Sequence, residues 1–239
     1  MKPGHSSVTD IEIIEDFSST ARCDEGFLRV RRLRCRNRRA DGSSSSVYRV
    51  DVVDRPRLDA VAVLVFRRGA SGAPEASGAA GSPGSIEVLT RMNLRPAAYF
   101  RKDNRGAMTV PDPAAGYLRV EEIVAGLLEP EDKGEEGLRR RAAEEVREEA
   151  GYAVKPEDIH LLGGAFFLAP GILSEKVFPA AVDVTGLEPV DPEGDGTPLE
   201  EGTQLHWRPL TEVLEACRRG DIPDAKTEVA LTRLLARQA

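Results

Sequence analysis

The stretch Gly126–Tyr152, GLLEPEDKGEEGLRRRAAEEVREEAGY, governs how this chain is read. Four glutamates, Glu144, Glu145, Glu148 and Glu149, crowd into six positions, and Gly151 follows at once. A helix turns about 100° per residue, so Glu145 and Glu149 share a face and Glu148 lies beside them. Like charges at this spacing repel, by about a few tenths of a kcal/mol per pair. Leu138, Ala142 and Val146 form an apolar row at i, i+4 and i+8 that can anchor the helix on a core. Gly151 suits the left-handed residue that ends many helices. The expectation is a short anchored helix with a carboxylate cluster in its last turn and a half.

Two readings of that cluster stand side by side. Glu-rich helices are commonly solvated faces, and Arg139, Arg140, Arg141 and Arg147 can pair with the acids. Yet Arg140–Glu144 and Arg141–Glu145 run in the less favourable order for i,i+4 pairs. The other reading is a bound divalent cation, since hard oxygen ligands suit Mg²⁺ or Mn²⁺ and such ions can be held against a phosphate-bearing substrate.

Outward from the stretch, hydrophobic patterning marks further elements. Phe27 to Arg36 and Val47 to Val53 read as strands around a turn at Asp41–Ser46. Ala60 to Phe66 is an apolar run suited to a strand buried on both sides. Gly69 to Ser85 is almost wholly Gly, Ala, Ser and Pro and reads as a surface loop. Strands are expected at Ile86–Arg91, Ile159–Leu168, Lys176–Val184 and Gln204–Trp207, and Gly116–Val124 leads towards the glutamate-rich helix. Gly186 to Gly202 is a long acidic loop of the kind that forms a lid or stays disordered. Thr211–Arg219 and Thr227–Arg237 read as closing helices, the second with Leu231, Leu234 and Leu235 at core spacing. Core packing is expected for Trp207.

The chain has 239 residues, 41% of them hydrophobic, which suits one full domain with an appendage. A net charge of −7 argues against general nucleic-acid binding. A basic ribbon, Arg29, Arg31, Arg32, Arg34, Arg36, Arg38 and Arg39, reads either as the solvated face of a hairpin or as a phosphate-binding patch. No run approaches membrane-helix length, and MKPGHSSVTD has no signal-peptide core, so a cytoplasmic protein with no membrane partner is expected. The three scattered cysteines form neither a zinc nor a disulfide pattern.

The glutamate-rich stretch resembles the Nudix box, G-x5-E-x7-R-E-U-x-E-E-x-G-U, with U aliphatic. Glu144–Tyr152 falls on its second half and Glu136 on its upstream glutamate. Two departures are plain. The leading glycine falls at Gly126 rather than at Pro130, and Glu144 stands where the box has arginine. In the family that arginine pairs with a box glutamate; Arg140 and Arg141 are the candidates to replace it. Glu122–Gly126 resembles the E-x-P-A-G segment of ADP-ribose and nucleotide-sugar pyrophosphatases. Val88–Pro96, Ala169–Lys176 and Gly220–Thr227 resemble three further segments of that group.

The resemblance implies an α/β fold: a Nudix-type α/β/α sandwich with a mixed sheet, plus a small N-terminal antiparallel β-sheet. It divides the chain into residues 1–57, an N-terminal β-sheet region that joins two copies into a homodimer, and residues 58–239, the hydrolase domain. It implies Mg²⁺ (or Mn²⁺) held by Glu145, Glu148, Glu149 and the Ala125 carbonyl. Arg95, Pro170, Gly171 and Glu175 would bind substrate. A loop glutamate would act as base, Glu201 first and Glu200 next. The implied reaction hydrolyses a nucleoside diphosphate derivative, ADP-ribose to AMP and ribose 5-phosphate. The alternatives are a UDP- or GDP-sugar as substrate, or a non-catalytic nucleotide-binding module, which the arginine lost at Glu144 favours.

Overall fold

A computed structural model of the protein describes residues 8–18, 20–69, 85–103, 116–194 and 196–238. Two strands, β1 (Arg29–Cys35) and β2 (Tyr48–Asp54), pair antiparallel from Arg29–Asp54 to Cys35–Tyr48 as a separate ribbon. All four arginines of β1 are exposed, Arg29 and Arg31 on one face of the strand and Arg32 and Arg34 on the other, so the basic ribbon is solvated on both faces rather than gathered on one. The ribbon touches the rest of the fold where Val53 N–H donates to the Ile172 carbonyl at 2.7 Å.

The main sheet is built on β3 (Ala60–Arg68), whose first seven residues are all buried. Alternation divides them between two cores. Ala62, Leu64 and Phe66 join one cluster, and Val61, Val63 and Val65 join the other. A strand buried on both faces needs a layer on each side, which explains its unbroken apolar run. Next come β4 (Ile86–Leu94), a single helical turn α1 (Pro96–Tyr99), β5 (Arg119–Glu122) and β6 (Val124–Leu127). The long helix α2 (Gly134–Ala150) follows. After it come β7 (His160–Leu161), β8 (Phe166–Phe167), β9 (Lys176–Asp183) and β10 (Gln204–Pro209). Helices α3 (Leu210–Arg219) and α4 (Ala225–Gln238) close the chain.

The main sheet is mixed. Its path runs β10–β4–β3–β9–β7, and only the β3–β9 pair is parallel. Helix α2 lays Ala142, Ala143, Val146 and Ala150 on the face with Val61, Val63 and Val65. Helices α3 and α4 cover the other face through Val213, Leu214, Ala230 and Leu231. The architecture is therefore mixed α/β, with helices on both faces of the larger sheet and a small antiparallel sheet beside it.

One pairing detail positions everything that follows. Strand β4 pairs with β3 only over Ile86–Val88, then diverges and pairs with β5 from Arg91 to Leu94. The vacated edge of β3, Ala60–Val63, is taken by β6. The sheet splits here, and a cleft opens between β4 with β5 on one side and β3 with β6 on the other.

Several expectations need adjustment. Ile159–Leu168 is not one strand: a turn at Gly163–Gly164, with Gly163 at φ +87°, separates β7 from β8. The acidic segment after Val184 is docked on α2. Val190 N–H donates to the Gly151 carbonyl at 2.9 Å and Gly194 N–H to the Glu148 carbonyl at 3.0 Å. The expected loop at Gly69–Ser85 is closed at its base by Gly69 N–H to the Ser85 carbonyl at 2.8 Å, and residues 70–84 lie outside the described residues. Trp207 packs against the α2-side core edge-to-face with Tyr152, with ring centroids 6.2 Å apart. Among the described residues, no helix is long and apolar enough to cross a membrane.

Candidate functional site

Helix α2 is fixed at both ends. Before its start, the buried Asp132 carboxylate accepts from Glu129 N–H at 2.9 Å, from Arg140 at 2.7 Å and from Arg141 at 2.9 Å. Burial pushes that carboxyl up, but the Glu129 N–H, followed by the Arg141 and Arg140 guanidiniums, outweighs it and holds the carboxyl below the ordinary range. At the far end Gly151 adopts φ +77°, and its N–H returns to the last turn of the helix. These two anchors set the rotation of α2 and turn Glu145, Glu148 and Glu149 towards the split in the sheet.

The split opens into a cleft of about 870 Å³. Glu145, Glu148 and Glu149 line one wall, and Arg55, Arg57, Arg95 and Lys226 line others. Glu145 lies directly against Gly126, where any Cβ would overlap its carboxylate. Burial comes first, and the nearby Glu149 and Glu148 add repulsion, so the Glu145 carboxyl is pushed up to about 7. Arg141 and Arg91 offset this only in part. Glu149 is raised by burial too, against the pull of Arg91 and of Ala125 N–H, which donates to it at 3.1 Å.

The cationic side has a buried acid of its own. Glu122 in β5 accepts from Asn93 at 2.8 Å, from Lys226 at 3.2 Å and from Arg95. Lys226 also donates to Asp224 at 2.6 Å, and Asp224 accepts from both the N–H and the hydroxyl of Thr227. This network holds Arg95 and Lys226 at the cleft. Arg55 and Glu175 form a second, partly buried pair at 2.6 Å.

Most of the residues singled out from sequence thus meet in one place: Arg95, Ala125, Glu145, Glu148, Glu149, Glu175 and Glu200 all line the cleft. Glu201 does not. The 3₁₀ turn Pro198–Glu200 directs Glu200 inward, while Glu201 is exposed and its carbonyl accepts from Arg119 at 3.1 Å. Pro170 is exposed, and Gly171 lines a shallower depression beside Arg32 and Arg34 of the ribbon. Glu136 is exposed on the first turn of α2.

Neither Arg140 nor Arg141 reaches Glu149: both are committed to Asp132, and Arg141 also pairs with Glu144 at 3.1 Å. Arg91 reaches it instead, along with Glu200 at 2.9 Å. Arg91, Glu122 and Lys226 carry no role in the sequence reading. Glu122, Lys226 and Arg91 fall inside the resembling segments Glu122–Gly126, Gly220–Thr227 and Val88–Pro96, and Arg91 is also a charge inside a strand-like segment.

Among the described residues, no three His, Cys, Asp or Glu side chains stand in an arrangement ready to hold a metal ion. Glu149 is turned to Arg91 and Ala125, and Glu148 to Arg147 at 3.3 Å. Compared with known proteins, the chain matches no family model and no curated protein.

Proposed function

We propose that the chain is a Nudix-type hydrolase that cleaves a nucleoside diphosphate derivative at its pyrophosphate, with ADP-ribose as the leading substrate and Mg²⁺ or Mn²⁺ as the required ion. The carrying observation is the two-sided cleft: a crowded, half-buried carboxylate cluster on α2 faces four cationic side chains across a space large enough for a nucleotide.

The chemistry of the donor set suits a hard dication. Glu145 is half-buried, crowded by two more carboxylates and pressed against a glycine, so its charge is poorly accommodated by protein alone. Glu145, Glu148, Glu149 and the Ala125 carbonyl are the proposed ligands. Bound there, the ion neutralises pyrophosphate charge and acidifies a water. The chain's own groups do the rest. Arg95, steadied by Glu122, donates to a phosphate. Glu200 takes the proton from the attacking water as the new P–O bond forms and the bridging P–O bond breaks. AMP and ribose 5-phosphate leave. The same reading joins two copies at the β1–β2 ribbon.

A second reading has its own support. Glu149 is already ion-paired to Arg91, an arrangement that suits a module that binds a nucleotide without cleaving it.

One assay separates these. The chain is incubated with ADP-ribose, UDP-sugars and GDP-sugars, with and without Mg²⁺, and the released AMP, UMP or GMP is quantified. Turnover is expected only with the ion, and Glu149→Gln is expected to lower it roughly 100-fold or more while the melting temperature holds or rises. A nucleotide that binds calorimetrically but is never cleaved selects the second reading.

A further inference from the structure

We infer that Arg91 is the positioning residue of this site, tying the candidate base Glu200 to the candidate ligand Glu149 in place of the arginine absent at position 144. The inference rests on the proposed hydrolytic reading for its catalytic part only.

The sequence leaves a gap that the fold fills from elsewhere. Glu144 pairs outward with Arg141, so no α2 arginine steadies Glu149. Arg91 projects from β4 on the same side as Leu89, which packs in the core against α2. It sits at the register where β4 leaves β3 for β5, so its side chain enters the split from below. Only 3% of that side chain is exposed. One terminal nitrogen meets Glu149 on α2 and the other meets Glu200 at 2.9 Å. Its Nε is buried without a hydrogen-bond partner, so the guanidinium is fully desolvated and depends on these two carboxylates.

The consequence is mechanical. Glu200 N–H closes on Thr197 at 3.1 Å, Glu201 N–H on Pro198 at 3.2 Å and Thr203 N–H on Glu200 at 3.0 Å. Arg91 fastens that turn to the floor of the cleft. Lysine, a point charge with no fork, can hold one carboxylate well but not both.

Amide hydrogen exchange on metal-free protein tests the tether without any assay of activity. In Arg91→Met the amides of Glu200, Glu201 and Thr203 are expected to exchange about tenfold faster or more, while β3 amides stay protected. Arg91→Lys recovers part of that protection. Folded Arg91→Met with unchanged exchange at these three amides overturns the inference. If Arg91→Met does not fold, Glu200→Gln is read instead: faster exchange at the three amides with an unaltered α2 supports the tether, and no change refutes it.

The positioning role is read separately. With wild type active, Arg91→Met is expected to lower kcat about 100-fold with KM within roughly threefold, and Arg91→Lys to restore part of the loss. Equal kcat in wild type and Arg91→Met overturns the positioning role. An inactive wild type that shows the exchange effect leaves the tether standing and removes the hydrolytic reading.

Discussion

Glu145 shows what a single residue's surroundings decide. Its carboxyl is held at about 7 by burial and by two neighbouring carboxylates. The folded state therefore binds this proton more tightly than the unfolded chain, whose value is near 4.5. Between those values the folded state carries more protons, so stability from this group falls as pH rises through about 4.5 to 7 and is absent above it. At about 1.4 kcal/mol per pH unit, the effect is of order 3 kcal/mol. In chelator-treated protein, Glu145→Gln is expected to raise the melting temperature at pH 8 by about 6–12 °C and to flatten its decline between pH 5 and 7. A melting curve at pH 8 identical to wild type would count against the crowded-carboxylate account. The same desolvation is what a bound dication relieves, and its binding would release the proton.

At the scale of elements, α2 is the part most legible in the sequence. Its apolar row, its carboxylate stack and its closing glycine all follow from a 3.6-residue period; Ala142, Val146 and Gly151 behave accordingly, while Leu138, the first of the row, is only half-buried and lies outside the core cluster. The buried run of β3 is equally plain, because a strand covered on both faces cannot carry polar residues. What the sequence hides is partnering. Glu200 and Glu201 are adjacent, and in a 3₁₀ turn adjacent side chains diverge by about 120°, so spacing alone does not tell which one enters the cleft. Arg91 gains its role only because β4 changes partner beside it, a long-range event with no local signature.

The docking of the acidic segment onto α2 also turns on one glycine. Gly151 is left-handed, and a Cβ there would overlap the Val190 carbonyl. Gly151→Ala therefore meets a conformational penalty of about 1 kcal/mol and a clash besides. Thermal unfolding is expected about 4–8 °C lower, with faster exchange at Val190 and Gly194 N–H. A change below about 1 °C would mean that the segment does not rest on this turn.

At the scale of the whole molecule, the ribbon of β1 and β2 stands apart. An isolated two-stranded ribbon is marginal in water, and its outer edges leave backbone groups unpaired. Phe27, Leu28, Val47 and Tyr48 are exposed around it. The proposed pairing of copies covers this surface. Sedimentation of the full chain at micromolar concentration is expected to give twice the mass of one chain, and the mass of one chain at that concentration removes the pairing.

The parallel register of β3 with β9 has a consequence for biosynthesis. Ala60 pairs with Val177 and Phe66 with Asp183, so the central strand waits for a partner translated more than a hundred residues later. At about 5–20 residues per second, that interval lasts about 6–23 s, during which the most apolar segment of the nascent chain has one flank without its neighbour. A ribosome that stalls before codon 176 would thus leave a sticky edge for chaperones to shield.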